Sequence, residues 1–323
     1  MQIQKWLVLT PALFASPCCL LAQNNPVGEQ VVAGAASFRR DGTTLTIQQS
    51  TDRAIINWSD FSISSGAITR FIQPSAASAV LNRVIGGNLS EIYGSLQANG
   101  SVYLINPAGI LVGPSGTINS HSFMGATFDV PNSDFLAAAK LSLTGPSTAS
   151  VENHGIIRGL GGDVFLIAHK VRNTGQIEAL DGTAGLAAGS EVILQQSGER
   201  LAVIAGNPSK PTDKGVDNAG AILASTVELK SAGGNVYALA INNRGLVRAN
   251  EIVNEGGRIV IRASGGNIAN QGTLSAKKAT GNGGDIVVDA GQNASRNASA
   301  IHSGRIDVTA EALEAQEIGR AHV

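Results

Sequence analysis

The chain has 323 residues, only 15 % of them charged, and a formal net charge of −1. Such a balance offers no basic surface for nucleic acid, and an aromatic content of 4 % is too sparse for base-stacking platforms. Thirty-nine glycines among abundant Val, Ile, Leu, Thr, Ser and Asn make this a composition of strands and turns.

The first segment, MQIQKWLVLTPALFASPCCLLAQ, carries one positive charge, Lys5, followed by an apolar run from Trp6 to about Ala22. That is the pattern of a secretory signal peptide over 1–22, cleaved after Ala22. Pro11 and Pro17 interrupt the run and no basic stop-transfer segment follows, which argues against a membrane anchor. Cleavage removes Cys18 and Cys19, so the mature chain has no cysteine and no disulfide.

Residues 23–150 are expected to hold an N-terminal cap and the motif-rich coils. The stretch VVAGAASFRRDGTTLTIQQSTDRAIINW is irregular and suits a cap. Trp58, the only tryptophan after the signal, is expected to pack beneath it. Arg70, Gln73, Asn82 and Arg83 stand among apolar residues and read as a polar network that fixes a loop. Residues 102–112, VYLINPAGILV, place a turn tetrapeptide inside a strand-like run. Asn106 suits the first corner, Pro107 the second with its fixed φ, Ala108 the third and Gly109 the fourth, before Ile110 resumes the strand.

Residues 151–310 repeat. GGDVFLIA (161–168), GGNVYALA (233–240), GGRIVIRA (256–263) and GGDIVVDA (283–290) align without gaps, each with apolar residues at alternate positions. Period two means strands with one buried face. The alignment predicts one buried ladder of Val164, Val236, Ile259 and Ile286, spaced by about 4.8 Å. A second phrase, apolar–x–Asn–x–Gly–x–apolar, puts Asn153, Asn173, Asn218, Asn243 and Asn270 in one slot. These are expected to be structural corners, since Asn and Gly tolerate left-handed backbone. Intervals of about 20 to 27 residues, or near twice that where one match is weak, predict an all-β right-handed parallel β-helix. At about 22 residues per coil, the chain would form on the order of 13 coils and a rod about 60 Å long. No convincing amphipathic helix is visible between 30 and 310. In this frame Asn106 falls in an inward slot that other coils fill with Ala, so its amide is expected to bond backbone groups of its own or adjacent coils.

The tail 311–323 ends in EIGRAHV, which matches the conceptual translation of a common sequencing adapter. A non-native or disordered tail is therefore expected, with the native chain continuing beyond it.

Chemistry is thinly represented. There is no Gly-x-Ser-x-Gly elbow, P-loop, Rossmann glycine set or His pair at metal spacing. No catalytic residue, metal site or cofactor is expected. GNGGDIVVD (281–289) is a single calcium-roll-like unit, and such sites need tandem copies. The rival to a non-enzymatic reading is a β-helical carbohydrate-active enzyme, a lyase or hydrolase. Asp163 and Asp285 share a repeat slot, but the acidic residues are otherwise dispersed.

The phrases AIINWSDFSI (54–63), FIQPSAASAVLNRVIGG (71–87), SEIYGSLQANGSVYLINPAGILVGPSGTIN (90–119) and ATFDVPNSDFL (126–136) resemble the secretion domain of two-partner secretion exoproteins, the family of filamentous haemagglutinin and the high-molecular-weight adhesins. The resemblance spans about residues 24 to 310. It implies a right-handed β-helix exported through the periplasm of a Gram-negative envelope to the cell surface or medium. It also implies a partner: an outer-membrane β-barrel with periplasmic polypeptide-transport domains that bind this domain. Any host or surface ligand would belong to a downstream region. The family motif Asn-Pro-Asn-Gly-Ile is similar to Asn106-Pro107-Ala108-Gly109-Ile110, with Ala108 in place of Asn. A second family motif, Asn-Pro-Asn-Leu, has only a partial echo in GGNL (86–89).

Overall fold

The computed structural model describes residues 25–138, 140–195, 198–204, 215–232, 239–250, 257–264, 267–277 and 284–290, with short strands at 292–293, 296–297, 300–302 and 305–307. The signal segment 1–22, Val236 and most of GGNVYALA, the start of GNGGDIVVD and the tail 311–323 lie outside these residues.

Period-two patterning yields strands that stack in parallel from one coil to the next. Three strand faces wind around one core. The first runs from Thr44–Gln49 through Ile68–Ile72, Ser95–Ala98, Thr117–Ser120 and Ile156–Gly159. The second runs from Arg53–Trp58 through Ala79–Val84, Ser101–Ile105, Ser122–Ala126 and Val164–Ala168. The long strands Gln176–Ala188 and Ala221–Ala232 each serve both faces. The third face contains Ser90–Ile92, Ile110–Val112, Ser150–Asn153, Lys170–Asn173, Gly215–Asn218, Leu239–Asn243, Asn267–Asn270 and Ala300–His302. The result is a parallel β-helix.

Nine turns can be followed among the described residues, roughly 40 Å of stack at about 4.8 Å per layer. This is fewer than the 13 anticipated. One reason is that the described residues 127–138, 140–149, 189–195 and 198–204 leave the coil instead of forming turns. Asn173 and Asn218 are 45 residues apart yet occupy adjacent layers. The doubled interval is therefore one turn with an excursion, and no weak unit lies between them.

The buried ladder runs Val102, Phe123, Val164, Ala184, Val227, Ile259, Ile286. Val227 holds the ladder position beside Ile259, where TVELKSA (226–232) forms the layer with no double glycine before it; Val236 lies outside the described residues. All but Ile286 are buried, and Ile286 is half-buried against the core.

Two antiparallel pairings close the N-terminal end. Gln30–Ala33 pairs with Arg53–Trp58, and Ala36–Asp41 pairs with Thr44–Gln49. Trp58 is fully buried there, edge-on to Phe38 and Phe61 at 5.8 and 5.4 Å, and its indole N–H donates to Asn82 at 3.0 Å.

Simple alternation understates the core. On the second face the outward residues Ile55, Leu81, Ile105, Met124, Phe165 and Ile167 are also buried, in a separate cluster. The excursions cover them. The first carries α1 (Asn132–Leu136) and the strand Leu141–Thr144; the second carries the hairpin Glu191–Leu194 and Leu201–Ile204. Leu141–Thr144 pairs with Glu191–Leu194, joining the excursions into one lid. Phe135 of α1 lies edge-on to Tyr103 at 5.3 Å, while Arg53 stacks on its ring and donates to its carbonyl at 2.6 Å. At five residues, α1 is too short to leave a helical period in the sequence.

Candidate functional site

The turn 106–109 is the corner between the second and third faces. Asn106 is completely buried. Its Nδ2 donates to the Asn88 carbonyl and to Ser90 Oγ, both at 2.9 Å. Its Oδ1 accepts from the Ala108 N–H at 2.9 Å, and its carbonyl accepts from the Gly109 N–H at 3.0 Å. The side chain thus satisfies itself while closing the turn from inside. Pro107 is exposed and Ala108 is half-buried. Gly109 has φ +110°, which excludes an ordinary L side chain, and a Cβ there would sit 2.9 Å from Leu89 Cδ1 and 3.1 Å from the Ser150 carbonyl oxygen. Ile110 is buried and pairs with Ser90 and Val151 in the layers on either side.

Sequence reasoning did not single out Ser90, Asn88 as an acceptor, or Ser147. Ser90 receives the Asn106 amide on its hydroxyl and donates its own N–H to the Gly109 carbonyl at 3.1 Å. Ser147, on the return leg of the first excursion, donates to the Pro107 carbonyl at 2.7 Å. Small polar residues in turns carry little signal alone; only the stacking frame brings them to one corner.

Asn153, Asn173, Asn218, Asn243 and Asn270 form a continuous buried stack at a different corner. Each Nδ2 donates to the next Oδ1, at 2.8, 2.8, 2.8 and 2.6 Å. Each of the first four backbone carbonyls also accepts two N–H groups from the following coil, as Asn173 does from Ala219 and Gly220. The expected left-handed backbone is not present at these corners, since positive φ occurs elsewhere among the described residues. The neighbouring glycines are required by crowding: a Cβ on Gly220 would lie 2.1 Å from the Gly175 carbonyl oxygen, and one on Gly245 would lie 2.0 Å from that of Gly220.

The four polar residues singled out near the cap, Arg70, Gln73, Asn82 and Arg83, each have a partner. Gln73 Nε2 donates to Gln49 Oε1 at 3.1 Å, and Gln73 Oε1 accepts from the Gly100 N–H at 3.0 Å. Arg83 reaches Asp129 at 2.9 Å, and Arg70 donates to Gln97 at 3.0 Å. Asp163 and Asp285 share a register position but are separated by Thr183, Thr226 and Arg258. Among the described residues, no three His, Cys, Asp or Glu side chains converge as metal ligands.

An ionic cluster pins the second excursion. Glu228, fully buried, accepts from the Arg200 and Leu201 N–H groups at 2.6 and 2.8 Å. Lys230 donates to Glu199 at 2.8 Å and lies 3.2 Å from Glu228. Arg262 donates to Glu199 at 2.7 Å, and Arg200 pairs with Asp163 at 2.8 Å. Burial opposes ionisation of Glu199, but the Lys230 hydrogen bond and the charges of Lys230, Arg262 and Arg258 prevail and hold its carboxyl below the usual range. The alternating Val-Glu-Leu-Lys of 227–230 looks like a solvated face, and only the hairpin docked upon it makes those charges interior.

Comparison with known proteins agrees with the parallel β-helix. Residues 22–276 match a family model described as TPS secretion domain. The fold is similar to the crystal structure of the HMW1 secretion domain from Haemophilus influenzae, with TM-score 0.77 and 30 % identity, covering 89 % of this chain and 74 % of that one. It is also similar to the filamentous hemagglutinin secretion domain, with TM-score 0.58 and 16 % identity over 89 % of this chain and all of that one, a likeness of fold alone. Two heme/hemopexin-binding proteins of H. influenzae are 40 % identical over 121 residues and 37 % over 106, or 38 % and 32 % of this chain. The aligned parts span only 13 % and 11 % of those relatives.

Proposed function

The chain belongs to the TPS secretion domain family, and on that premise we propose that its corner at Asn106–Gly109 is the feature its transporter reads. The chain is the secretion module of a haemagglutinin- or adhesin-type exoprotein. Proteins with this domain are exported by Gram-negative bacteria to the cell surface or medium, through a partner outer-membrane transporter. The family is one of secretion domains and is not a known class of enzyme.

Residues 1–22 direct export across the inner membrane and are removed. Periplasmic polypeptide-transport domains of the barrel then hold the chain through the corner. Asn106 is buried, so its part is to set the shape of the turn, while the exposed Pro107 is offered for contact. The observation that carries this reading is that pairing: an internally satisfied, rigid corner displaying one apolar ring. Outside the cell each coil stacks on the one before, and the asparagine stack makes every completed corner a template for the next. The heme/hemopexin binding named for two relatives is not carried over to this chain, which matches only 13 % and 11 % of their length.

The test is export from cells carrying the chain with and without its barrel. Export should require the barrel and fall with Asn106→Ala, whereas Ala108→Asn should be neutral or improve it. Export unaffected by any substitution at 106–109 would refute the assignment of the corner.

A further inference from the structure

We infer that Ser147 is a positioning residue for the recognition corner, and that the first excursion, besides covering the second core, sets the outer face of the turn. This rests on the reading of that corner as the transporter's contact.

The turn lies between two layers. On one side Asn88 and Ser90 hold the Asn106 amide, and Leu89 Cδ1 closes on Gly109. On the other side the excursion 127–149 returns to the coil at Ser150. Its last residues lie against the turn: a Cβ on Gly109 would stand 3.1 Å from the Ser150 carbonyl oxygen and 3.5 Å from Ala149 Cβ. Ser147 Oγ donates to the Pro107 carbonyl at 2.7 Å and accepts from the Ala149 N–H at 3.1 Å. One hydroxyl therefore ties the exposed peptide of the turn to the return leg and closes that leg upon itself.

The two attachments have different consequences. Asn106 and Ser90 are buried, so their loss disturbs the coil. Ser147 is half-buried, and its bond to Pro107 is exposed, so its loss leaves the core intact. What it removes is the orientation of the Pro107–Ala108 peptide beside the contact ring. Segment GGNL (86–89), which alone only echoes a family motif, forms the inner platform of the same corner. Three stretches remote in sequence, 88–90, 106–109 and 147–150, thus make one surface.

The experiment measures binding of the full chain to its cognate outer-membrane β-barrel, purified in detergent, beside the melting temperature of each variant. Ser147→Ala should weaken binding by about fivefold, the value of one hydrogen bond, with melting unchanged, and Ser147→Thr should restore it. Pro107→Glu should weaken binding by more than tenfold. Pro107→Glu weak with Ser147→Ala at wild-type affinity overturns the role of Ser147 and leaves the corner standing. Ser147→Thr as weak as Ser147→Ala, or a fall in melting temperature that accompanies the loss, also overturns it in favour of a structural role. Both Pro107→Glu and Ser147→Ala at wild-type affinity refute the corner itself.

Discussion

Replacing Asn173 by Ala tests the asparagine stack where it has neighbours on both sides. Its Nδ2 donates to Asn218 Oδ1 and its Oδ1 accepts from Asn153 Nδ2, both at 2.8 Å. The backbone bonds from Ala219 and Gly220 to the Asn173 carbonyl do not depend on the side chain. Removing the amide leaves Asn153 Nδ2 with only the Gln176 carbonyl at 3.3 Å and deprives Asn218 Oδ1 of its donor, inside a core where residues 153, 173 and 218 are fully buried. Each stranded buried group costs about 1–3 kcal/mol, so the pair should cost about 2–6 kcal/mol. That is a large share of the roughly 5–15 kcal/mol that holds a domain together. Urea unfolding followed by far-ultraviolet circular dichroism measures it. Arg172→Ala is the control: this neighbour is partly exposed and its ion pair with Asp217 is 3.7 Å long, worth under about 1 kcal/mol. Because Asn173 and Asn218 share a bond, the double Ala variant should lose about 1–2 kcal/mol less than the sum of the single losses. If Asn173→Ala costs no more than Arg172→Ala, or if the two asparagines prove additive, the stack is not a coupled buried network.

Two further predictions concern the ionic cluster. Lys230→Met leaves the buried Glu228 without its counter-charge and should cost about 2–4 kcal/mol, while Lys230→Met with Glu228→Gln should recover part of that, because the neutral amide leaves no unpaired charge buried, although its one oxygen can keep only one of the two N–H donors, Arg200 or Leu201; equal losses in urea unfolding would contradict the charge argument. Glu199 has a lowered pKa in the fold, so its stabilising effect is present above its ordinary value of 4.5 and is lost as pH falls below it. Amide protection at Leu201–Ile204, taken relative to the intrinsic exchange rate at each pH, should therefore fall on acidification below that value, and Glu199→Gln should flatten the change; the same acid response in the variant would assign it elsewhere.

The coil and its corners were legible because stacking imposes a regular code. Asn153 to Asn270 and their glycines recur at one place in the unit, and Asn106 falls in an inward slot by alignment alone. The lid was illegible because its effect is spatial. Phe165 and Ile167 look like the outward members of an alternating strand, yet they are buried by Phe135 and Leu201, which come from segments outside the repeat. The same lid accounts for the lower number of coils among the described residues, since 127–138, 140–149, 189–195 and 198–204 add length without adding layers. The double glycine of 233–234 is a misleading cue for a related reason: the layer beside Ile259 comes from Thr226–Ala232, which no double glycine precedes, while Val236 lies outside the described residues. At the corner, Asn106 could be read from pattern, whereas Ser90 and Ser147 could not. Their partners lie 16 and 40 residues away, across layers whose register the excursions obscure.

The most direct test of the corner as the transporter's contact is photo-cross-linking during export. A photoreactive amino acid at position 107 is compared with one at position 180, where Leu180 is exposed at 53 % outside the corner. Cells carrying the chain and its barrel are irradiated while export proceeds. The account predicts an adduct between position 107 and the periplasmic domains of the barrel, and little or none from position 180. An exported chain with no adduct at 107, or with equal adducts at both positions, would contradict it.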